Sequence, residues 1–222
     1  MVSDNLATLY EKLPSGVKLV AVSKFHPVSR LMEAYHAGQR VFGENRPQEL
    51  AAKVPQMPSD VEWHFIGHLQ TNKLKLVLPY VSMVQSVDSF HLLEAIDKWG
   101  KENNRVVDIL LELHLGAEET KHGFSEEDIL TLVKEVGEVG VKDNIRIRGL
   151  MGMATNTEDE GVIEADFARI EALFKRIRAE HPELADSFTE LSIGMSGDWP
   201  IAVRHGATMV RIGTDIFGAR EY

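Results

Sequence analysis

A lysine at the end of an apolar run is the residue best placed to do chemistry in this chain. Residues 18–24 read Lys-Leu-Val-Ala-Val-Ser-Lys, and the stretch through Val20 and Val22 has the pattern of a strand buried on both faces. Lys24 closes it, followed by Phe25, His26 and Pro27. Partial desolvation at such a rim disfavours the ammonium form, and a neutral amine attacks a carbonyl carbon to give a Schiff base. The plainer reading is a lysine that has reached solvent where its strand ends.

Two motifs near the C-terminus could receive an anion. Ser196-Gly-Asp198 leads into a short helical segment, and Ile212-Gly-Thr214 supplies small residues beside it. Glycines let backbone N–H groups approach a phosphate, and a helix start adds a favourable dipole. Each motif alone reads equally well as an ordinary turn with Ser or Asp as a helix cap. Arg211 lies in an apolar run, where a charge needs a partner. It either faces a basic ring nitrogen of a phosphate-bearing ligand or pairs with an acidic neighbour such as Glu112 or Glu44. An imine-forming lysine, a phosphate cradle and a cation aimed at a ring nitrogen together describe pyridoxal phosphate binding.

The elements that must position these residues alternate regularly. Apolar runs predict strands over 18–24, 40–45, 61–68, 81–87, 106–115, 145–153, 188–195 and 209–217. Helical spacing and cap signals predict helices over 3–13, 29–38 with Ser29 as cap, 47–53 from Pro47, 72–77, and after Ser89. Further helices open at Ser125 with Asp128 in capping-box spacing, over 157–180, and over 198–205. Eight strands alternating with helices, and no GxGxxG after the first strand, favour a (β/α)8 TIM barrel over an open doubly wound sheet. The expectation is one domain, 1–222, with an extra N-terminal helix. Its active site would lie at the C-terminal strand ends, where Lys24, Asn45, Ser196 and Gly213 fall.

Composition narrows the function classes. The 222 residues are 44% hydrophobic, enough for a full core. With 24 basic and 34 acidic residues the net charge is −10, which argues against a general nucleic-acid or anionic-membrane binder. No cysteine is present, so disulfides and thiolate metal sites are excluded. The acidic, amphipathic N-terminus is not a signal peptide and no run reaches membrane-spanning length. A cytoplasmic protein is expected.

The motifs also resemble a known family. Val20-Ala-Val-Ser-Lys24, Phe42-Gly-Glu-Asn-Arg46, Trp63-His-Phe-Ile-Gly-His-Leu-Gln-Thr-Asn-Lys73, Leu150-Met-Gly-Met153, Leu191-Ser-Ile-Gly-Met-Ser-Gly-Asp198 and Val210-Arg-Ile-Gly-Thr214 run in order from first strand to last. They resemble the single-domain pyridoxal phosphate homeostasis proteins, related to the N-terminal barrel of alanine racemase. That resemblance implies pyridoxal 5'-phosphate held on Lys24 as a Schiff base. It implies Ser196, Gly197, Gly213 and Thr214 on the phosphate, Arg211 at the ring nitrogen and Asn45 near the ring. Two local departures from the family pattern stand beside the imine: Phe25-His26-Pro27, and Ser192-Ile193 in strand seven.

Arg211 bears on carrier against catalyst. A guanidinium beside the ring nitrogen opposes its protonation and weakens the ring as an electron sink. The expected role is therefore vitamin B6 homeostasis, with release of the cofactor to apo-enzymes, by a monomer. A weak amino-acid racemase is the alternative, and a cofactor-free Schiff-base aldolase a more distant one. Tyr222 reads as a terminal residue rather than a second base. His64 and His68 would share a face of strand three, but no third metal ligand has suitable spacing, and no metal is expected. Lys121 reads as a solvated loop lysine or a secondary amine. Met151, Met153 and Met195 read as packing near the site.

Overall fold

A computed structural model describes residues 1–116, 122–139 and 144–219. The elements follow in order: α1 (Val2–Lys12), β1 (Lys18–Val22), α2 (Val28–His36), β2 (Val41–Glu44), α3 (Pro47–Lys53), β3 (Glu62–Phe65), α4 (Leu74–Val77) and β4 (Met83–Val87). Then come α5 (Phe90–Glu102), β5 (Val107–Leu113), α6 (Glu126–Val139), β6 (Ile145–Gly152), α7 (Glu160–Glu180), β7 (Glu190–Ser192), α8 (Trp199–Arg204), β8 (Met209–Ile212) and α9 (Thr214–Phe217). The eight strands pair in sequence order, all parallel, and close through β8 onto β1.

Strand periodicity sorts the side chains into two cores. Outward residues such as Ala21, Phe42, Phe65, Val84, Leu111 and Val210 pack under the helices in the large cluster. Inward residues Val20, Met83, Leu110, Met151 and Met209 fill the barrel interior as a second cluster. Helix α5 shows the outer logic. Ser89 accepts the Leu92 N–H at its start, and Leu92, Leu93, Ile96 and Trp99 bury one face. Each such side chain contributes about 1.5–3 kcal/mol when fully buried. Helix α1 lies against α2 and α9, where Asn5 donates to the Ile216 carbonyl.

Several boundaries differ from expectation. The last run, 209–217, is not one strand: β8 stops at Ile212, and Thr214–Phe217 is helical with Gly213 as its cap residue. Ile216 and Phe217 are buried from a helix there, an ambiguity that short apolar runs carry. Helix α2 is capped by Pro27, which places Ser29 inside it. Helix α7 begins after Asp159, whose carboxylate accepts the Gly161 N–H, rather than at Thr157.

Candidate functional site

Lys24 sits at a built elbow. In β1 the alternation sends Val22 and Lys24 toward the barrel mouth and Ser23 outward under α3. The His26 N–H donates to the Ser23 carbonyl, closing a turn with Lys24 second and Phe25 third. Phe25 has φ +67°, the left-handed value a type II turn requires at its third position and one that costs a bulky residue strain. Helix α3 holds it there. Glu49 accepts the Phe25 N–H at 2.6 Å, and the Arg46 guanidinium lies 4.3 Å over the Phe25 ring. The His26 ring packs 4.9 Å from that of Phe217. The Phe25-His26-Pro27 departure is thus seated locally.

The same helix inserts a buried cation beneath the elbow. Lys53 Nζ donates to the Ser23 carbonyl at 2.8 Å, to Glu44 Oε1 at 2.7 Å and to Glu49 Oε1 at 2.7 Å. Ser23 Oγ donates to Glu44 Oε1 at 2.6 Å. Burial pushes the Glu44 carboxyl up, and the attraction of Lys53 opposes it. Both residues flanking Lys24 are therefore pinned by one Glu44–Lys53–Glu49 knot.

Arg211 points into the barrel. Its side chain is buried and donates to the Ser192 carbonyl (2.7 Å), Ser192 Oγ (2.8 Å) and the Gly152 carbonyl (2.9 Å). Its direct partners are thus neutral oxygens, while Glu44 is taken by Lys53. Burial lowers the guanidinium to about 10, with Glu112 and Asp198 opposing, so it is cationic at neutral pH. The chain continues inward. Ser192 Oγ donates to Gln85 Oε1 at 2.6 Å, and Gln85 Nε2 donates to His64 Nδ1 at 2.7 Å. That bond needs His64 neutral with its proton on Nε2. Burial, and then the charge of Lys18, hold the imidazole down at about 3, which agrees.

The anion side is built from β7–α8 and β8–α9. Asp198 accepts the Met195 N–H at 2.5 Å and donates its own N–H to the Met195 carbonyl, which folds Ser196 and Gly197 into a tight loop. Burial pushes the Asp215 carboxyl up, and the neighbouring Ser196 hydroxyl opposes it. A Cβ placed on Gly197 would meet open space, and the Thr214 and Asp215 N–H groups precede the first bonds of α9, which run from Ile216 and Phe217 to the Gly213 carbonyl. Across the mouth, Gly67 lets β3 approach β2: a Cβ there would lie 2.4 Å from the Asn45 carbonyl oxygen.

Lys24, Asn45, Ser196, Gly197, Arg211, Gly213 and Thr214 all line one cavity of about 270 Å³, walled also by Ile66, Met153 and Met195. Asn45 Oδ1 is buried with no hydrogen-bond partner. A buried orphan acceptor, a cationic arginine and an amine on one cavity fit a small, polar, phosphate-bearing aldehyde.

Other expected residues fall elsewhere. His64 is buried in the interior, while His68 lies beyond the end of β3 and is exposed, so the two do not share a site. Instead, the fold brings Asp88 and His122 to His68, a juxtaposition that spacing did not reveal. Met151 is interior packing. Lys121 and Tyr222 lie outside the described residues. Residues that sequence reasoning missed are Ser23, Glu49 and Lys53, and Gln85 as the link to His64. The Glu49–Lys53 spacing was legible as a helix-face pair, which usually lies in solvent. Gln85 is a large amide among the apolar residues and Ser86 of β4, a polar group that a buried strand must pair.

The sequence family described as "Alanine racemase, N-terminal domain" matches residues 1–221. The chain is similar to the "Pyridoxal phosphate homeostasis protein" of Haemophilus influenzae, 37% identical over 209 residues, 93% of this chain and 86% of that protein. It is similar to PipY of Synechococcus elongatus solved without PLP, at TM-score 0.91 and 37% identity, covering 98% of this chain and 100% of the other. The PLP-bound PipY structure gives TM-score 0.87 and 36% identity over the same shares. The chain therefore belongs to the pyridoxal phosphate homeostasis proteins, within the alanine racemase N-terminal-domain family.

Proposed function

We propose that this protein binds pyridoxal 5'-phosphate through a Schiff base to Lys24, holds the reactive aldehyde out of solution, and releases it to apo-enzymes. The observation that carries this reading is the single cavity shared by Lys24, Arg211 and the Ser196–Gly197 and Gly213–Thr214 turns. Ser196, Gly197, Gly213 and Thr214 hold the phosphate, Arg211 faces the ring nitrogen, and Asn45 Oδ1 receives a polar group of the ring. When bound, the cofactor supplies the aldehyde and an electron-withdrawing ring. The chain's part is to hold and orient it. A guanidinium cationic at neutral pH disfavours protonation of the ring nitrogen, and so supports a carrier over a catalyst of carbanion chemistry. The acidic, cysteine-free composition supports a cytoplasmic protein, and we take it to act as a monomer.

Transfer tests the role. Loaded protein mixed with an apo pyridoxal phosphate enzyme should restore that enzyme's activity as the carrier's own absorbance falls. No transfer, together with Lys24-dependent exchange of the alanine α-hydrogen in D2O, would favour the racemase reading instead.

A further inference from the structure

Three strand ends next to the cofactor cavity bring together a second group of donors. His68 follows β3, Asp88 follows β4, and His122 lies on the segment returning from β5. His68 Nδ1 lies 2.8 Å from Asp88 Oδ2, and His122 Nδ1 lies 3.7 Å from the same oxygen. The two rings stack with centroids 4.0 Å apart and 18° between planes. All three donor atoms fall within 4.8 Å of one another. The Asp88 side chain is 5% exposed, while His68 and His122 are 45% and 60% exposed. The carboxylate is thus the fixed floor and the imidazoles are the adjustable walls.

The backbone carrying His122 is anchored. Phe124 exchanges bonds with β5 on both sides, its N–H to the Glu112 carbonyl and its carbonyl to the His114 N–H. Gly123 has φ +126°, and a Cβ there would lie 2.8 Å from the His114 nitrogen, so the close approach needs glycine. The cluster borders a cavity of about 260 Å³ that shares Ile66, Gly67 and Met153 with the cofactor cavity. His114 lines it, and its Nδ1 is buried without a hydrogen-bond partner.

We propose that His68, Asp88 and His122 form a binding site for a first-row divalent transition-metal ion, with Zn2+ the reference ion. Two imidazole nitrogens and a carboxylate oxygen are the donor set such ions prefer, and three protein ligands leave a position open. Tetrahedral ligation at about 2.0–2.1 Å places donor atoms roughly 3.3 Å apart. The observed separations need only small rotations of two exposed rings to reach that. An ion there would separate the stacked imidazoles and satisfy both against one carboxylate, where a hydrogen bond serves only His68. The open position is left for water or a small anionic ligand in the cavity that His114 lines.

The test uses untagged full-length protein freed of metal by chelator dialysis. Calorimetric titration with Zn2+ compares wild type with His68→Ala, His122→Ala and, as a surface control, His91→Ala. Expected are one ion per chain in wild type and in His91→Ala, and affinity weakened at least about tenfold in the other two. Co2+ should give visible ligand-field bands that vanish in His122→Ala, with circular dichroism confirming the fold. Failure of wild type to bind, or binding unchanged in both His68→Ala and His122→Ala, would overturn the site and leave a hydrogen-bonded histidine–aspartate cluster.

Discussion

Two buried polar networks flank the cavity lined by Lys24 and Arg211, and they handle charge differently. Outside the sheet, Glu44, Lys53 and Glu49 form a charged knot around the backbone of Lys24. Inside the barrel, Arg211 is tied to the neutral chain Ser192, Gln85 and His64. The outer network spends its charge on itself, and so it can fix a strained elbow. The inner network orients its cation through neutral partners, so the charge of Arg211 stays available to a ligand. Position in the strand pleat decides which is which: Ser23 and Glu44 face the helices, whereas His64, Gln85, Ser192 and Arg211 face inward.

The contrast breaks most visibly at Lys53. Lys53→Ala leaves Glu44 buried without its cation and should cost about 3–5 kcal/mol in denaturant unfolding. A loss below about 1 kcal/mol would mean that the outer knot is not a structural unit. Next comes acid. The folded His64 sits below its unfolded value near 6.5, so the unfolded state binds more protons as pH falls. Its contribution is full above about pH 7 and declines progressively between pH 6.5 and about 3. At pH 5 the loss should be about 2 kcal/mol, and His64→Gln should flatten that component of the pH profile.

A smaller effect is expected from Gln85→Leu, which strands Ser192 Oγ and His64 Nδ1 and should cost about 1–3 kcal/mol. It should also weaken cofactor binding, because Arg211 loses the chain that orients it. Glu49→Gln sharpens the comparison at the other end. It keeps an acceptor for the Phe25 N–H but removes one charge from the knot, so stability should change by about 1 kcal/mol. A several-fold fall in cofactor affinity with the fold intact would show that the knot works through the Lys24 elbow.

The barrel was legible because its signals are local: continuous apolar runs of strands buried on both faces, helix stops, and the eightfold alternation. The residues brought together at the mouth were legible because they close strands, as Lys24 and Asn45 do, or occupy the turns after β7 and β8. Three things were not. The helical turn at Thr214–Phe217 shares its apolar pattern with a strand. Lys53 reads as a surface lysine until α3 is laid across Ser23 and Glu44. Asp88 and His122 reach His68 only through the parallel pairing of β3, β4 and β5, which no sequence spacing encodes.

The most direct measurement is borohydride reduction of the protein after incubation with pyridoxal 5'-phosphate, followed by mapping of the modified peptide. The structure predicts a near-ultraviolet to visible band that reduction shifts, with the label on Lys24 and none in Lys24→Ala. A protein that stays colourless, or that carries the label on another lysine with Lys24 unmodified, would contradict it.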